Sequence, residues 1–388
     1  MNISYLATLF ASLSVALYIE LPIVGKLYIP LLAIAFCFML LKITQEKRIC
    51  VSLPVLFVVG FFIVYLFKMA LSDDPLNFKY ILNTLVFPIV YICGRGLNTV
   101  QKNKILFFML FVSVFVFIFE AYYRFSNPVV GGTELIEGQV REGATFYMFK
   151  MNSLMYNNSN GVAMHLTFLV ALILSLLMIS TKMSYFNNKQ LRYLVIYLII
   201  FLVLTVMTLS RAAMLTEVLL LLLFITIRFK RVFKFNIIFL PIISFIFIVG
   251  YVSRIEINDV SFSTKLEILN NLLVYLRDAS IWQILFGNEL NYYGLIFNGF
   301  KGYYGHTHYF DLIFTGGFVF SILYLVMLLV VSNQIGKYSV FFLLAFFILG
   351  FSNIRLFGHY LFYVMALLCL YSSKVGRYEV KNFCNNGC

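Results

Sequence analysis

The chain alternates between long apolar runs and short charged joints. Runs such as VSLPVLFVVGFFIVYLF are continuously apolar, which indicates helices rather than the alternating strands of an outer-membrane barrel. A helix needs about 20 apolar residues to cross the hydrocarbon layer, and twelve runs approach that length. The predicted spans lie near 3–23, 27–43, 51–71, 78–94, 104–123, 160–180, 192–209, 212–228, 235–252, 308–331, 338–352 and 358–373.

The composition agrees with this pattern, because hydrophobic residues make up 62% of the 388 residues and charged residues only 12%. Such a chain has too little polar surface for a water-soluble fold. The first run has no basic stretch before it and no small-residue cleavage site after it, so we expect a retained helix. The prediction is an all-α polytopic membrane protein in which residues 1–388 form a single transmembrane domain.

The formal net charge of +13 is unevenly distributed. If the first span runs outward, alternate joints share one side, and they hold most of the Lys and Arg, as in RFKRVFK at 228–234. An excess of Lys and Arg marks the cytoplasmic side of a membrane protein. Both termini are therefore predicted to be cytoplasmic, and the charge is explained without binding to nucleic acid.

Two long loops fall on the opposite, outer side in this topology. The first covers residues 124–159 and the second residues 253–307. In the second loop, leucines recur at helical spacing near 264–278, which predicts an amphipathic helix. Such a helix is expected to lie on the membrane surface or to cover the bundle.

The stretch GHTHYFDLIFTGGF, from Gly305 to Phe318, places His306 and His308 at the start of an apolar span. An imidazole that titrates near neutral pH suits removal of a proton from a sugar hydroxyl. No loop has the carboxylate spacing of a metal cage and the four histidines are scattered. We therefore expect chemistry without a metal ion or a cofactor.

Arginines on the outer side are the candidate ligands for an anion. Arg211 lies in a tight turn between two spans, and Arg355 lies in a short turn between the last two. Arg141 and Arg277 come from the two long loops. A guanidinium binds phosphate and pyrophosphate bidentately and stays charged. For Arg211, snorkelling to the membrane interface is an equally good explanation.

Three further polar residues fall at or inside spans. Asn160 is predicted to cap the helix of span six. His165, one turn or so inside that span, is expected to be a packed residue. Glu217, inside span eight, is expected either to pair with a cation or to line a polar cavity.

The residues from His306 to Phe310, HTHYF, with Gly317 after them, resemble the H-[NST]-x-[YF]-[LF] segment of the O-antigen ligase and polymerase family. Ser210 and Arg211 at the start of an apolar helix are similar to the S-R-[AG] segment of that family. The likeness extends to span order, loop sizes and about the second half of the chain. The further matches are Asn160-Gly161 and Leu285-Phe286-Gly287.

The resemblance implies a bundle of the GT-C type in a bacterial inner membrane, acting on its periplasmic side. It implies an inverting, metal-independent glycosyltransferase with undecaprenyl-pyrophosphate-linked glycans as donor and acceptor. His306 would be the base and Arg211 a pyrophosphate ligand. The second histidine, His308, leaves open which imidazole acts. The expected partners are these glycans, membrane lipid and a chain-length regulator.

Our leading hypothesis is a polymerase that joins repeat units of a surface polysaccharide. One alternative in the family is a ligase that transfers the finished glycan to lipid A-core. From another class, the alternative is a flippase or transporter for the same lipid-linked sugar. A transporter should place charges deep in several helices and often has repeated halves, whereas this chain gathers its histidines and loop charges on one side.

Overall fold

The computed structural model describes residues 2–21, 25–46, 52–70, 82–129, 148–150, 152–156, 158–229, 270, 272–287, 308–351 and 358–372. The helices in these ranges are α1 (Ile3–Ala16), α2 (Tyr28–Glu46), α3 (Leu53–Ala70), α4 (Val86–Arg95), α5 (Thr99–Ser126), α6 (Ser159–Ser180), α7 (Asn188–Met207), α8 (Arg211–Arg228), α9 (Ile281–Phe286), α10 (His308–Ile335), α11 (Val340–Gly350) and α12 (His359–Tyr371). Residues 272–278 are also helical, and Gly336–Ser339 form a 3-10 turn. Two short strands, β1 (Glu20–Leu21) and β2 (Gly25–Lys26), pair antiparallel between α1 and α2.

The helical, apolar character of the described chain is that of an all-α membrane protein. Five helices are long and apolar enough to cross a membrane within these ranges: Tyr28–Glu46, Thr99–Ser126, Ser159–Ser180, Asn188–Met207 and Gly316–Gly350. Shorter apolar helices occupy Ile3–Ala16, Leu53–Lys68, Leu82–Arg95 and His359–Tyr371. The predicted span at 235–252 lies outside the described residues, as do 264–269 of the predicted amphipathic helix.

Helix starts follow local capping chemistry. The side chain of Asn98 accepts from the backbone N–H of Gln101, whose side chain accepts from the N–H of Asn98 in return, at the start of α5. Asn187 and Gln190 form the same capping box at the start of α7. These reciprocal bonds satisfy backbone donors that a helix start leaves without partners, so both helices begin inside the polar joints, directly after the capping asparagines.

Helices α6 and α12 form the centre of the bundle. Nearly every side chain of α6 is buried, and those of α12 are buried along its whole length. The outer helices α5 and α7 instead expose large apolar side chains such as Phe115 and Ile199. A buried centre with an apolar rim is the arrangement expected of a bundle whose solvent is lipid.

Side-chain contacts define the two ends of the bundle. We call one of them the Arg211 end, where α6, α8 and α12 begin and where α5 and α7 end. There the rings of His165 and His359 are 5.2 Å apart, and Arg124 donates to the Met207 carbonyl. At the other, the Lys189 end, Tyr371 donates to Asn103 over 2.8 Å. Helices α6 and α7 are therefore antiparallel, and so are α7 and α8.

Charge differs between the two ends. The basic residues described at the Lys189 end are Lys42, Arg95, Lys102, Lys104, Lys182, Lys189, Arg192, Arg228 and Lys337. Among the described residues of that end, Glu46 is the acidic one. Acidic and basic residues are mixed at the Arg211 end. The concentration of Lys and Arg at one end is the asymmetry on which the sequence-based topology depends.

Helix α10 differs from the single span predicted at 308–331. Gly317 has non-helical dihedral angles (φ 65°, ψ −177°) in its middle. The ring of His308 lies 5.6 Å from that of Tyr324, which would be about 24 Å away along a straight helix. The hydroxyl of Ser321 also approaches the carbonyl of Leu312, at 3.3 Å. Residues 308–316 therefore fold back along the first turns that follow Gly317.

Candidate functional site

The structure describes five of the candidate site residues, namely Asn160, Arg211, Glu217, Arg277 and His308, and it also describes His165, which was expected to be a packed residue. His306, Arg355 and Arg141 lie outside the described residues, and their roles stay predictions.

Arg211 is the first residue of α8 and its side chain is exposed. Helix α7 finishes at Met207, so three residues, from Thr208 to Ser210, make the whole turn between the two helices. The tight turn predicted around Arg211 is thus confirmed. Ser210 is the N-cap of α8, but its side chain makes no capping hydrogen bond. The guanidinium therefore stands beside a helix start whose positive end favours anions.

His308 is 1% exposed, at the start of α10. Its ring packs edge-on against Phe346 at 4.7 Å between centroids, and against Tyr309 and Tyr324 at 6.0 and 5.6 Å. Among the described residues, no group forms a hydrogen bond with its Nε2. Aromatic rings thus enclose His308, and this imidazole is not presented to a surface.

The fold-back of α10 is held at Gly317 by the end of α9. A Cβ added to Gly317 would lie 2.4 Å from both the Leu285 carbonyl oxygen and the Gly287 nitrogen. Gly317 and Gly287 both have positive φ, at 65° and 76°. Lys68 Nζ, at the end of α3, donates to the Phe286 carbonyl over 2.7 Å. We call this contact of α3, α9 and α10 the Gly317 junction.

Arg277 belongs to the short helix at 272–278, which lies over the first part of α10. Leu272 and Tyr275 pack on Phe314 in a small separate apolar cluster. Arg277 points away from it, since its side chain is 87% exposed, and its Nε lies 3.7 Å from Asp278 Oδ1. An exposed pair of this kind contributes little stability. Arg277 is therefore accessible to an anion at the exposed surface of this short helix, which we call the cover.

Glu217 is buried in α8 with hydroxyl groups as its described partners. Thr205 donates to its Oε1 over 2.7 Å, and Thr167 approaches the same oxygen at 3.5 Å. No cation lies within ion-pair distance of Glu217 among the described residues. Of the two alternatives for Glu217, a cation pair is not found among the described residues, because α6 and α7 supply hydroxyls instead.

The cap of α6 is Asn158 rather than Asn160. The helix begins at Ser159, and the Asn158 side chain accepts from the N–H of Gly161 at 3.2 Å. Asn160 is a half-buried residue of the first turn. The expectation failed because three asparagines, at 157, 158 and 160, lie close to the helix start, and the sequence does not distinguish which of them caps it. Asn160 is left as a polar side chain at the Arg211 end.

Arg211 and His308 lie at the same end of the bundle. Phe224, late in α8, contacts Phe341, early in α11. The late residues of α11 therefore face the start of α8, and the hydroxyl of Tyr309 donates to the Phe347 carbonyl there at 2.7 Å. The first residues of α8 and α10 thus share one end.

Comparison with protein-family models, curated proteins and solved structures finds no match for this chain. Within the described ranges, no group of three or more His, Cys, Asp or Glu side chains could hold a metal ion.

A buried cluster of rings at the Arg211 end was missed from the sequence. His359 stacks on Tyr18 at 3.9 Å and lies 5.2 Å from His165. His165 Nδ1 is 3.0 Å from the Tyr156 hydroxyl, and its ring stacks on Tyr360 at 5.0 Å. His165 is thus the packed residue that its position suggested. No local pattern could have indicated the cluster, since its members come from four separate parts of the chain.

A buried ion pair between Glu120 and Arg124 was also missed. The two residues are 1% and 0% exposed, and Arg124 Nε lies 3.2 Å from Glu120 Oε1. The sequence did contain a signal, because opposite charges four residues apart near the end of an apolar span face each other on a helix.

Proposed function

We propose that this protein is an inner-membrane glycosyltransferase that polymerises lipid-linked oligosaccharide repeat units. The donor would be a growing chain on undecaprenyl pyrophosphate and the acceptor a single carrier-linked unit. The hydroxyl of the acceptor would attack the anomeric carbon with inversion, and the carrier pyrophosphate would leave. The product would be a chain longer by one unit, together with the released carrier.

The observation that carries this proposal is the common location of two kinds of group. An exposed arginine begins α8, and the histidine-bearing segment begins α10, at the same end of an apolar bundle. Guanidinium groups at a helix start would stabilise the charge that develops on the leaving pyrophosphate. An imidazole nearby would accept the proton of the attacking hydroxyl.

We assign the role of base to His306 rather than to His308. The ring of His308 is enclosed by Phe346, Tyr309 and Tyr324, so a sugar hydroxyl could reach it only if these rings moved. His308 would then fix the segment that presents His306. Arg211 would bind the pyrophosphate together with Arg355, and Arg277 would extend the basic surface on the cover.

The proposed architecture has twelve membrane spans in a bundle of the GT-C type, with 124–159 and 253–307 as periplasmic loops. Both termini would be cytoplasmic. The basic Lys189 end would then face the cytoplasm, in accordance with the positive-inside rule, and the Arg211 end the periplasm.

A flippase is the second candidate, because one observation favours it. Glu217 is a carboxyl buried in a membrane helix, and ionisable groups at such depth often belong to transport pathways. The Glu217→Gln variant separates the two functions. Polymerisation needs no proton exchange at this carboxyl, so the amide, which still accepts from Thr205, should preserve it. A proton-coupled flippase should lose transport with the same substitution.

Carrier-linked glycans from a deletion strain test the proposal. Loss of a polymerase leaves single repeat units, whereas loss of a ligase leaves long chains on the carrier. Loss of a flippase leaves units on the cytoplasmic face. A plasmid copy with His306→Ala should reproduce the deletion pattern at normal expression. If His306→Ala complements the deletion and His308→Ala does not, the assigned base is the wrong histidine.

A further inference from the structure

The guanidinium of Arg124 connects two segments that are far apart in sequence. Nε donates to Glu120 Oε1 at 3.2 Å, which orients the group from one turn earlier in α5. Nη1 donates to the Phe149 carbonyl at 2.8 Å, and Nη2 donates to the Met207 carbonyl at 2.9 Å. The side chain is 0% exposed. We call Arg124, Glu120 and these two carbonyl groups the Arg124 clamp.

On one side, the clamp holds the turn from which Arg211 emerges. Met207 is the last residue of α7, and its carbonyl would accept from residue 211 if the helix continued. The chain turns instead, with Leu209 in the left-handed region at φ 58°. The Thr208 hydroxyl donates to the Thr205 carbonyl at 2.6 Å. Arg124 supplies the donor that the Met207 carbonyl needs at this turn.

On the other side, the clamp holds the base of the first long loop. The carbonyl of Lys150, next to Phe149, accepts from the N–H of Ser159 at 2.7 Å. Before the loop, the N–H of Val129 donates to the Met148 carbonyl at 2.9 Å. Residues on both sides of the loop thus form hydrogen bonds with Met148 and Lys150, the neighbours of the Phe149 carbonyl that Arg124 contacts.

We propose that Arg124 is a positioning residue, which fixes the turn before Arg211 against the base of the first loop. Burial of an ion pair this close to the membrane is costly unless its donors and acceptors are satisfied, and here each donor group of the guanidinium holds a different segment. Arg124 acts through the location of Arg211 and does not contact the substrate. Only this last link, to pyrophosphate binding, rests on the proposed function.

Hydrogen exchange in lipid nanodiscs tests the clamp without substrate. In Arg124→Gln, the backbone amides of 205–212 and the loop-base amides of Val129 and Ser159 should both exchange at least about tenfold faster, because two charge-assisted hydrogen bonds are lost. The interior of α6 should exchange as in the wild type. Arg192→Gln, an exposed arginine at the Lys189 end, is the matched control and should change neither segment. Exchange that rises in one segment alone, or in neither, would overturn the proposal.

A charge swap separates the clamp from a simple ion pair. The double variant Glu120→Arg, Arg124→Glu keeps opposite charges one turn apart, but a carboxylate at 124 cannot donate to either carbonyl. Hydrogen exchange at the turn and at the loop base should therefore stay fast in this double variant. Restoration of wild-type exchange would show that the ion pair alone matters. Arg124→Lys, which keeps the charge and a single donor group, should protect one of the two segments at most.

A double-mutant cycle with Arg211 tests the link to function. If Arg124 acts through Arg211, Arg124→Gln raises KM for a carrier-linked repeat unit in the wild type but has little further effect in an Arg211→Ala background. Additive effects on KM would contradict the link while leaving the exchange result intact. Absence of any transfer by the wild type would instead remove the proposed function, and hydrogen exchange would still decide on the clamp.

Discussion

Three polar residues inside this bundle have different surroundings. The charge of Arg124 is balanced by Glu120, the carboxyl of Glu217 accepts from threonine hydroxyls, and the imidazole of His308 is enclosed by rings. Each residue therefore responds differently to substitution. The Glu120–Arg124 pair could be read from its spacing of four residues. The partners of Glu217 come from α6 and α7, and Phe346 comes from α11, so these contacts could not be read from the sequence.

Substitution of His308 should reveal a packing role. His308→Ala leaves a cavity between Phe346 and Tyr324 and should lower the free energy of unfolding by about 2–4 kcal/mol, in the range of large-to-small core changes. His308→Phe keeps a ring there, and its cost should stay below about 1.5 kcal/mol. Thermal unfolding in detergent measures both. Equal losses in the two variants would show that a polar contact of the imidazole is needed.

Glu120→Ala should lower the free energy of unfolding more than Glu120→Gln does. Glu120→Ala leaves the buried guanidinium without its counter-charge and should destabilise the protein by about 3–5 kcal/mol. Glu120→Gln keeps an acceptor for Arg124 Nε and should cost clearly less. The same unfolding assay compares them, with Glu46→Ala, an exposed glutamate at the Lys189 end, as control. Two equal and small losses would contradict a buried, ordered ion pair.

At the scale of elements, α10 shows where sequence patterns stop being informative. Hydropathy located an apolar helix here, but it cannot distinguish a straight span from one that folds back, because both are equally apolar. The left-handed dihedral angles of Gly317 and the backbone contact with α9 decide between them. Glycines are common in membrane helices, so Gly316 and Gly317 gave no specific signal.

The Gly317 junction should be sensitive to a single methyl group. Gly317→Ala would push Cβ into the backbone of Leu285 and Gly287, at a residue with φ 65°. The single tryptophan, Trp282 in α9, reports on this contact. Its emission maximum and its quenching by acrylamide should change in Gly317→Ala. Gly60→Ala is the control, since no atom lies within 4 Å of its added Cβ. Unchanged Trp282 fluorescence in Gly317→Ala would contradict the junction.

At the scale of the whole molecule, the chain is a helical bundle with two chemically different ends. Continuous hydropathy predicted where the helices lie, and each predicted span except 235–252 contains a described helix. The distribution of Lys and Arg among the joints predicted which joints lie at the same end of the bundle. The approach of Arg124 to Met207 and the cluster of rings around His359 depended on packing between distant segments. Such contacts leave no local pattern in the sequence.

Cysteine labelling tests which end faces outward. In a variant with its six cysteines replaced by serine, Arg277→Cys in spheroplasts should react with a membrane-impermeant maleimide. Lys189→Cys should react only after the membrane is permeabilised, because an excess of positive charge is expected on the cytoplasmic side. The reverse pattern would place the proposed site on the wrong side of the membrane.

The most direct measurement of the central claim is transfer by the purified protein. Protein in nanodiscs would receive undecaprenyl-pyrophosphate-linked repeat units without added divalent metal, and products would be separated by length. We predict a ladder of longer glycans that is lost in His306→Ala and reduced at least about a hundredfold in Arg211→Ala, while Arg192→Gln keeps it. A ladder that persists in both His306→Ala and Arg211→Ala, or no ladder from the wild type, would contradict the account.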